Sequence, residues 1–303
     1  MLGTMKILIG YDGSASSNAM LDDLRRAGLP EKAEVQVVSV AETWFPLPTS
    51  FGGVDTGYAS ESITGVDSAK TLAKHAHEYL QFHFPGWEIE YAAASGSPTN
   101  ILLGQEENWH PDLIVLGSHG HSAISDIFLG NVSQKVATEA HCSVRVARGK
   151  ERAPDAPIRL IIGIDGSAGS EAAVKVLAER NWPAKTEVRL VNAIWNLPPP
   201  SPDADRHENI ALQIAEWVAV ENARIKEMVE HSVKKLQEAG LTTTSVVREE
   251  DPKRLLISEA ERWGADSIFI GARGRSRLER IWLGSVSSTV VMRAPCSVEI
   301  VRA

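Results

Sequence analysis

The feature that most constrains this chain is that it is written twice. IGYDGSASS at 9–17 returns as IGIDGSAGS at 162–170, and EVQVVSV at 34–40 returns as EVRLVNA at 187–193, each shifted by 153. DLIVLGSHGHSAISDIFLGNVS at 112–133 returns as DSIFIGARGRSRLERIWLGSVS at 266–287, and HCSVRVAR at 141–148 returns as PCSVEIVR at 295–302, now shifted by 154. Landmarks that recur in order over the full length mean one domain duplicated, not a solenoid of short units. A chain of 303 residues suits two domains of that size. The boundary falls in ERAPDAP at 151–157, charged and carrying two prolines, so the domains are expected at 1–150 and 151–303.

Each copy alternates two kinds of segment. KILIG, EVQVVSVA, EIEYAAA, DLIVLG and SVRVA are short apolar runs rich in β-branched residues. Between them lie SSNAMLDDLRRA, a long segment from about 61 to 84, PTNILLGQEENW, and a last helix after Gly130; the second long segment runs from about 209 to 239 and stops at Gly240. KILIG, DLIVLG and RLIIGI are nearly unbroken apolar, as expected of strands covered on both faces. The expected fold is therefore α/β, with two tandem doubly wound parallel sheets of the Rossmann-like kind. Such sheets bind ligands beyond the carboxyl ends of their strands, where the strand order reverses.

Composition narrows the class. Apolar content of 43% and charge of 23% are ordinary globular values. A net charge of −8 argues against coating nucleic acid or an anionic membrane. No apolar run reaches the length of a membrane span, and Met1 to Gly10 lacks the form of a secretory signal. Two cysteines, Cys142 and Cys296, with no Cys-x-x-Cys, suit a reduced cytoplasm. These observations point to a cytoplasmic protein without a nucleic-acid or membrane partner.

Chemistry concentrates in the run after the fourth strand of each copy. Gly271 and Gly274 are followed at a distance by Gly284-Ser285, and Gly117 and Gly120 by Gly130-Asn131. Glycine permits close approach of backbone or positive φ, and the helix that follows offers unpaired N–H groups and its dipole to an anion. Ser285 and Ser287 add hydroxyls in that first turn, and Arg273, Arg275, Arg277 and Arg280 make the loop basic. A polyphosphate fits this arrangement; turn glycines with arginines on a solvated face are the plainer alternative. Asp12 and Asp165 end the first strand of each copy, where a carboxylate can accept from sugar hydroxyls or cap the next helix.

The G-x-x-G-x9-G-S/T spacing, with an Asp at the end of strand one, resembles the ATP-binding subgroup of the universal stress protein family, and the resemblance covers both copies. Gly271, Gly274, Gly284 and Ser285 match fully; Gly117, Gly120 and Gly130 match, with Asn131 where Ser or Thr is usual. The resemblance implies ATP or ADP with Mg²⁺, phosphate contacts at Val132, Ser133, Val286 and Ser287, ribose contacts at Asp12 and Asp165, and adenine against the backbone of Val40 and Ala193. It also implies a nucleotide-dependent sensor or switch in stress response, with a downstream protein partner that stays unknown. A slow ATPase and a nucleotide-independent scaffold of the same fold are the alternatives; no nucleophile–base pair stands in recognisable order. The last strands, SVRVAR and SVEIVRA, are expected to pair with each other, which leaves a homodimer to other surfaces.

The copies differ at matched positions. Asn131 faces Ser285, and His119 and His121 stand where Arg273 and Arg275 stand. Tighter binding is expected in the second copy, because the arginines carry permanent charge. Trp44, Trp195 and the proline-rich LPPPSPDADR at 197–206 are expected in long loops after strand two, covering the ligand or lying mobile on the surface.

Overall fold

The computed structural model describes residues 4–42, 57–120, 129–149, 156–194, 208–274 and 283–302, without the side chains of 57–64 and 208–215. Arg275, Arg277, Arg280, His121, Trp44, Trp195, the 197–206 stretch and most of the linker lie outside the described residues.

The first copy runs β1 (Met5–Gly10), α1 (Ala15–Leu24), β2 (Ala33–Ala41), α2 (Gly57–His83), β3 (Glu88–Ser95), α3 (Pro98–Trp109), β4 (Leu113–Gly117), α4 (Asn131–Glu139) and β5 (Ser143–Ala147). The second repeats it as β6 (Arg159–Gly163), α5 (Ala168–Glu179), β7 (Glu187–Ala193), α6 (Glu208–Glu238), β8 (Thr242–Arg248), α7 (Pro252–Trp263), β9 (Ser267–Gly271), α8 (Ser285–Arg293) and β10 (Ser297–Val301). Local chemistry sets many of these limits. Ser14 and Ser167 cap α1 and α5 by accepting from Ser17 N–H and Ser170 N–H. Asp251 caps α7, Pro252 occupies its first turn, and Gly264 closes it with φ of 66°.

Within each copy the strands are parallel in the order 3-2-1-4-5, so β1 lies between β2 and β4, and β6 between β7 and β9. Those are the two points where the winding reverses. The copies do not form separate sheets. β5 and β10 pair antiparallel, Val146 with Val298 and Val144 with Ile300, giving one ten-stranded sheet. The expected pairing of the last strands is therefore present, and it removes the edge that each copy would otherwise expose.

The two faces of that sheet differ at the seam. On the face covered by α3, α4, α7 and α8 a single apolar core runs through both copies, from Leu8 and Ile114 across Val144 and Val298 to Ile268 and Ile161. On the opposite face the cores stay separate, one around Ile7, Leu21 and Leu80, the other around Leu160, Leu177 and Phe269. Among the described residues no helix is long and apolar enough to cross a membrane.

Candidate nucleotide site

The residues that follow β6 build one wall of the second switch point. Gly166 turns the chain with φ of 76°, and Asp165 Oδ1 accepts from the N–H and hydroxyl of Ser167, at 3.0 and 2.6 Å. Asp165 is thus not the helix cap; it orients Ser167, which is. Asp12 repeats the arrangement, with Gly13 at φ of 78° and Ser14 N–H 3.0 Å from its Oδ1.

Space accounts for four of the six motif glycines, Gly117, Gly120, Gly271 and Gly274. None of the six lies in the positive-φ region, which Gly13 and Gly166 occupy. A Cβ on Gly271 would stand 2.5 Å from the backbone carbon of Gly169, and one on Gly117 would stand 3.0 Å from the backbone of Ser16. These two let the end of the fourth strand touch the start of the first helix. A Cβ on Gly274 would meet Asp165 Oδ2 at 2.7 Å, and one on Gly120 would meet Asp12 Oδ2 at 3.0 Å. The second glycine therefore holds the loop against the carboxylate. Gly130 and Gly284 have ordinary room, with nearest atoms at 3.4 Å.

Gly130 and Gly284 are the N-caps of α4 and α8, and neither helix start has a side-chain cap. The first intrahelical bond of α8 runs from Ser288 N–H to Gly284 C=O, so the amides of Ser285, Val286 and Ser287 have no acceptor within the helix. The same holds at Asn131, Val132 and Ser133, where Gln134 N–H makes the first bond. The hydroxyls of Ser287 and Ser133 have partners within the protein. Ser287 Oγ donates to Gly271 C=O and Ser133 Oγ to Gly117 C=O, both at 2.7 Å, and both side chains are buried. They pin the helix to the strand, which leaves their amides, not their hydroxyls, for a ligand.

In the second copy these parts surround a cavity of about 400 Å³. Its polar lining includes Asp165, Ser167, Arg273 and Ser285, with Gly274 among them, and its apolar lining includes Ala193, Ile194, Val286 and Pro252. A further wall comes from α6: Trp217, Val218, Ile225 and Met228, with Glu221 between them. That wall was not anticipated. Its signal is the recurrence of 217, 221, 225 and 228 on one helical face, which became meaningful only with the helix in place. Asn192 sits beneath, its Nδ2 donating to Ile164 C=O at 2.8 Å and tying the ends of β7 and β6 together.

The first copy assembles Asp12, Gly117, Gly120, Gly130, Asn131, Val132 and Ser133 in the same pattern, and Val40 stands one residue before the end of β2 where its equivalent Ala193 ends β7. Gly130 N–H to Ser118 C=O mirrors Gly284 N–H to Ala272 C=O, each at 2.8 Å. Its loop is tied down by side chains that the second copy lacks: His119 N–H donates to Ser16 Oγ at 3.1 Å, and His119 Nδ1 lies 2.8 Å from Ser118 Oγ. Gly169 and Ala272 replace those two serines.

Known proteins share both the repeat and the fold. The Universal stress protein family matches residues 3–148 and again 159–302. The universal stress protein Rv2005c of Mycobacterium tuberculosis is 25% identical over 311 residues, covering 98% of this chain and 96% of its own. The universal stress protein Sll1388 of Synechocystis is 34% identical over 153 residues, 99% of its length but 48% of this chain, as a single-copy relative should be. Among solved structures, a universal stress protein from Archaeoglobus fulgidus superposes with a TM-score of 0.60 at 20% identity, covering 98% of this chain and 96% of that one. With both halves matched end to end, this chain is a tandem member of the universal stress protein family.

Proposed function

We propose that the cavity of the second copy holds an adenine nucleotide, ATP or ADP with Mg²⁺, and that the protein works in the cytoplasm as a nucleotide-dependent sensor or switch in stress response. One observation carries this reading: the uncapped first turn of α8 and the carboxylate of Asp165 line the same cavity. The amides of Ser285, Val286 and Ser287 would donate to phosphate oxygens, with the helix dipole adding to their attraction. Asp165 would accept from ribose hydroxyls, Gly274 keeping the loop close enough for both. The α6 wall, with Trp217 and Met228, suits the flat apolar face of a base beside the backbone of Ala193. A bound cation would supply charge neutralisation to the phosphates; on the protein side the Ser285 hydroxyl is exposed in the first turn of α8.

The first copy would bind the same ligand more weakly, because Asn131 replaces Ser285 and His119 replaces Arg273. A homodimer has to use surfaces other than β5 and β10, which already pair with each other. Mass spectrometry of nucleotide released from purified protein, with calorimetric titration of ATP and ADP in Mg²⁺, tests the reading. Binding of either nucleotide supports it, and wild type without affinity for both leaves a scaffold. Single-turnover analysis of bound ATP separates holding from slow hydrolysis.

A further inference from the structure

The seam between the copies is built on a position that faces its own equivalent. Residues 141–148 recur as 295–302, so Arg145 and Glu299 are the same position of the duplicated unit. In the β5–β10 ladder they stand directly opposite one another, which puts them on the pseudo-two-fold axis. Both side chains are 0% exposed. They lie on the face where the apolar cores stop short of the seam, and the pair fills that gap.

Arg145 reaches Asp23 Oδ2 at 2.8 Å, Glu299 Oε2 at 3.3 Å and Ser267 Oγ at 2.8 Å. Arg180 grips both oxygens of Glu299 from the other side. Asp23, Arg145, Glu299 and Arg180 thus form a row of alternating charge, two members from each copy. Burial opposes the charge on Arg145, but Asp23 and Glu299 outweigh it, and its pKa is raised.

Many other seam contacts obey the two-fold and carry no preference. Arg148 donates to the C=O of Val291 at the end of α8, and its equivalent Arg302 donates to the C=O of Ala137 in α4, each at 2.8 Å. Arg148 N–H donates to Ser297 Oγ, and Arg302 N–H donates to Ser143 Oγ. The flanking ladder pairs, Val144 with Ile300 and Val146 with Val298, are apolar on both sides. Two first copies, or two second copies, could make all of these contacts equally well.

We propose that Arg145 and Glu299 make this seam a hetero-specific interface: β5 accepts β10 and refuses another β5, and β10 refuses another β10. A like pair would place two guanidiniums or two carboxylates face to face on the axis, both out of water. The partner that fits either edge is the complementary half of this chain, in the same molecule or in a second copy. The refusal blocks a hazard of duplication. Chains joined first copy to first copy and second to second would make an open polymer, and the axis pair forbids both joints. The pairing of β5 with β10 is independent of what the cavity of the second copy binds.

The test uses the full chain with single substitutions, read by thermal melting and by mass from light scattering. R145M removes the pair without adding a like charge, whereas R145E sets a second carboxylate against Glu299. R145E should melt several degrees below R145M, and E299R below E299Q. R145E and E299R should then be refolded together as an equimolar mixture. The unaltered first copy of the E299R chain can pair with the unaltered second copy of the R145E chain, which restores one native seam between two molecules. A two-chain mass found in the mixture, and in neither variant alone, is the expected result. If a reversed charge melts no lower than its neutral counterpart, or the mixture keeps the single-chain mass, the proposal is overturned. Should neither variant fold alone, the mixture still decides: a soluble two-chain species upholds it, and continued aggregation overturns it.

Discussion

Gly271 and Gly274 stand three residues apart in one motif, yet adding the same methyl group to each should do different things. At Gly271 the new Cβ would lie 2.5 Å from the Gly169 carbonyl carbon and 2.8 Å from its Cα. Those are backbone atoms, about 1 Å inside normal contact, so β9 and α5 must move apart. Overpacking of this kind costs roughly 1–3 kcal/mol, offset by about 0.5 kcal/mol from the lower entropy of the unfolded alanine chain. Gly271→Ala should therefore lose about 1–2 kcal/mol, a fall in melting temperature of roughly 2–8 °C. At Gly274 the close neighbour is Asp165 Oδ2, at 2.7 Å, and the next atom is 3.9 Å away. A carboxylate end can swing aside, so Gly274→Ala should change stability by no more than about 0.5 kcal/mol. It would move the group assigned to the ribose, though. A hydrogen bond to a charged group is worth roughly 1.5–3 kcal/mol, or about tenfold to a hundredfold in affinity. Melting by circular dichroism and calorimetric ATP titration of both variants make the comparison. If Gly271→Ala melts like wild type, or Gly274→Ala is the less stable of the two, the division of roles is wrong.

Further outcomes follow from the same geometry. Ser287→Ala should cost about 1 kcal/mol in denaturant titration by removing the bond to Gly271 C=O, yet change nucleotide affinity little, because the amide stays; a large loss of affinity would return the hydroxyl to the ligand. Asp165→Ala should abolish the tighter of two sites and Asp12→Ala the weaker, as read by calorimetry; the reverse order would mean that the first copy dominates. Burial, and after it the charge of Glu106, push the Cys142 thiol up to about 12, so its thiolate is scarce at neutral pH. A thiol reagent at pH 7.5 should label Cys142 and the fully buried Cys296 slowly in the folded protein and at once in denaturant; fast labelling of the native state would contradict the described burial.

The sequence by itself determined the duplication, and with it the fold. Helix α3 runs over Pro98–Trp109, the same twelve residues that PTNILLGQEENW marks out, because its proline start is a local signal. Helix α4 opens at Asn131 after Gly130 for the same kind of reason. Asp12, Asp165, Gly117 and Gly271 were legible as candidate site residues because they sit at or just past strand ends, where this topology converges. Contacts between distant parts of the chain decided the rest. Gly271 is bound to its identity by Gly169, and Ser287 by a carbonyl at the end of another strand, neither of which any local pattern reports. The α6 wall joins the cavity only through tertiary packing, which sets Trp217 and Met228 in one lining with Ala193 and Asp165. The opposition of Arg145 and Glu299 shows the limit most plainly. Each reads as an ordinary charge in an alternating strand, and only the antiparallel register of β5 on β10 turns two equivalent residues into a buried ion pair. Periodicity and capping act over a few residues along the chain, whereas packing and register are fixed by partners on other elements, 16 residues away for Ser287 and Gly271 and 154 for Arg145 and Glu299.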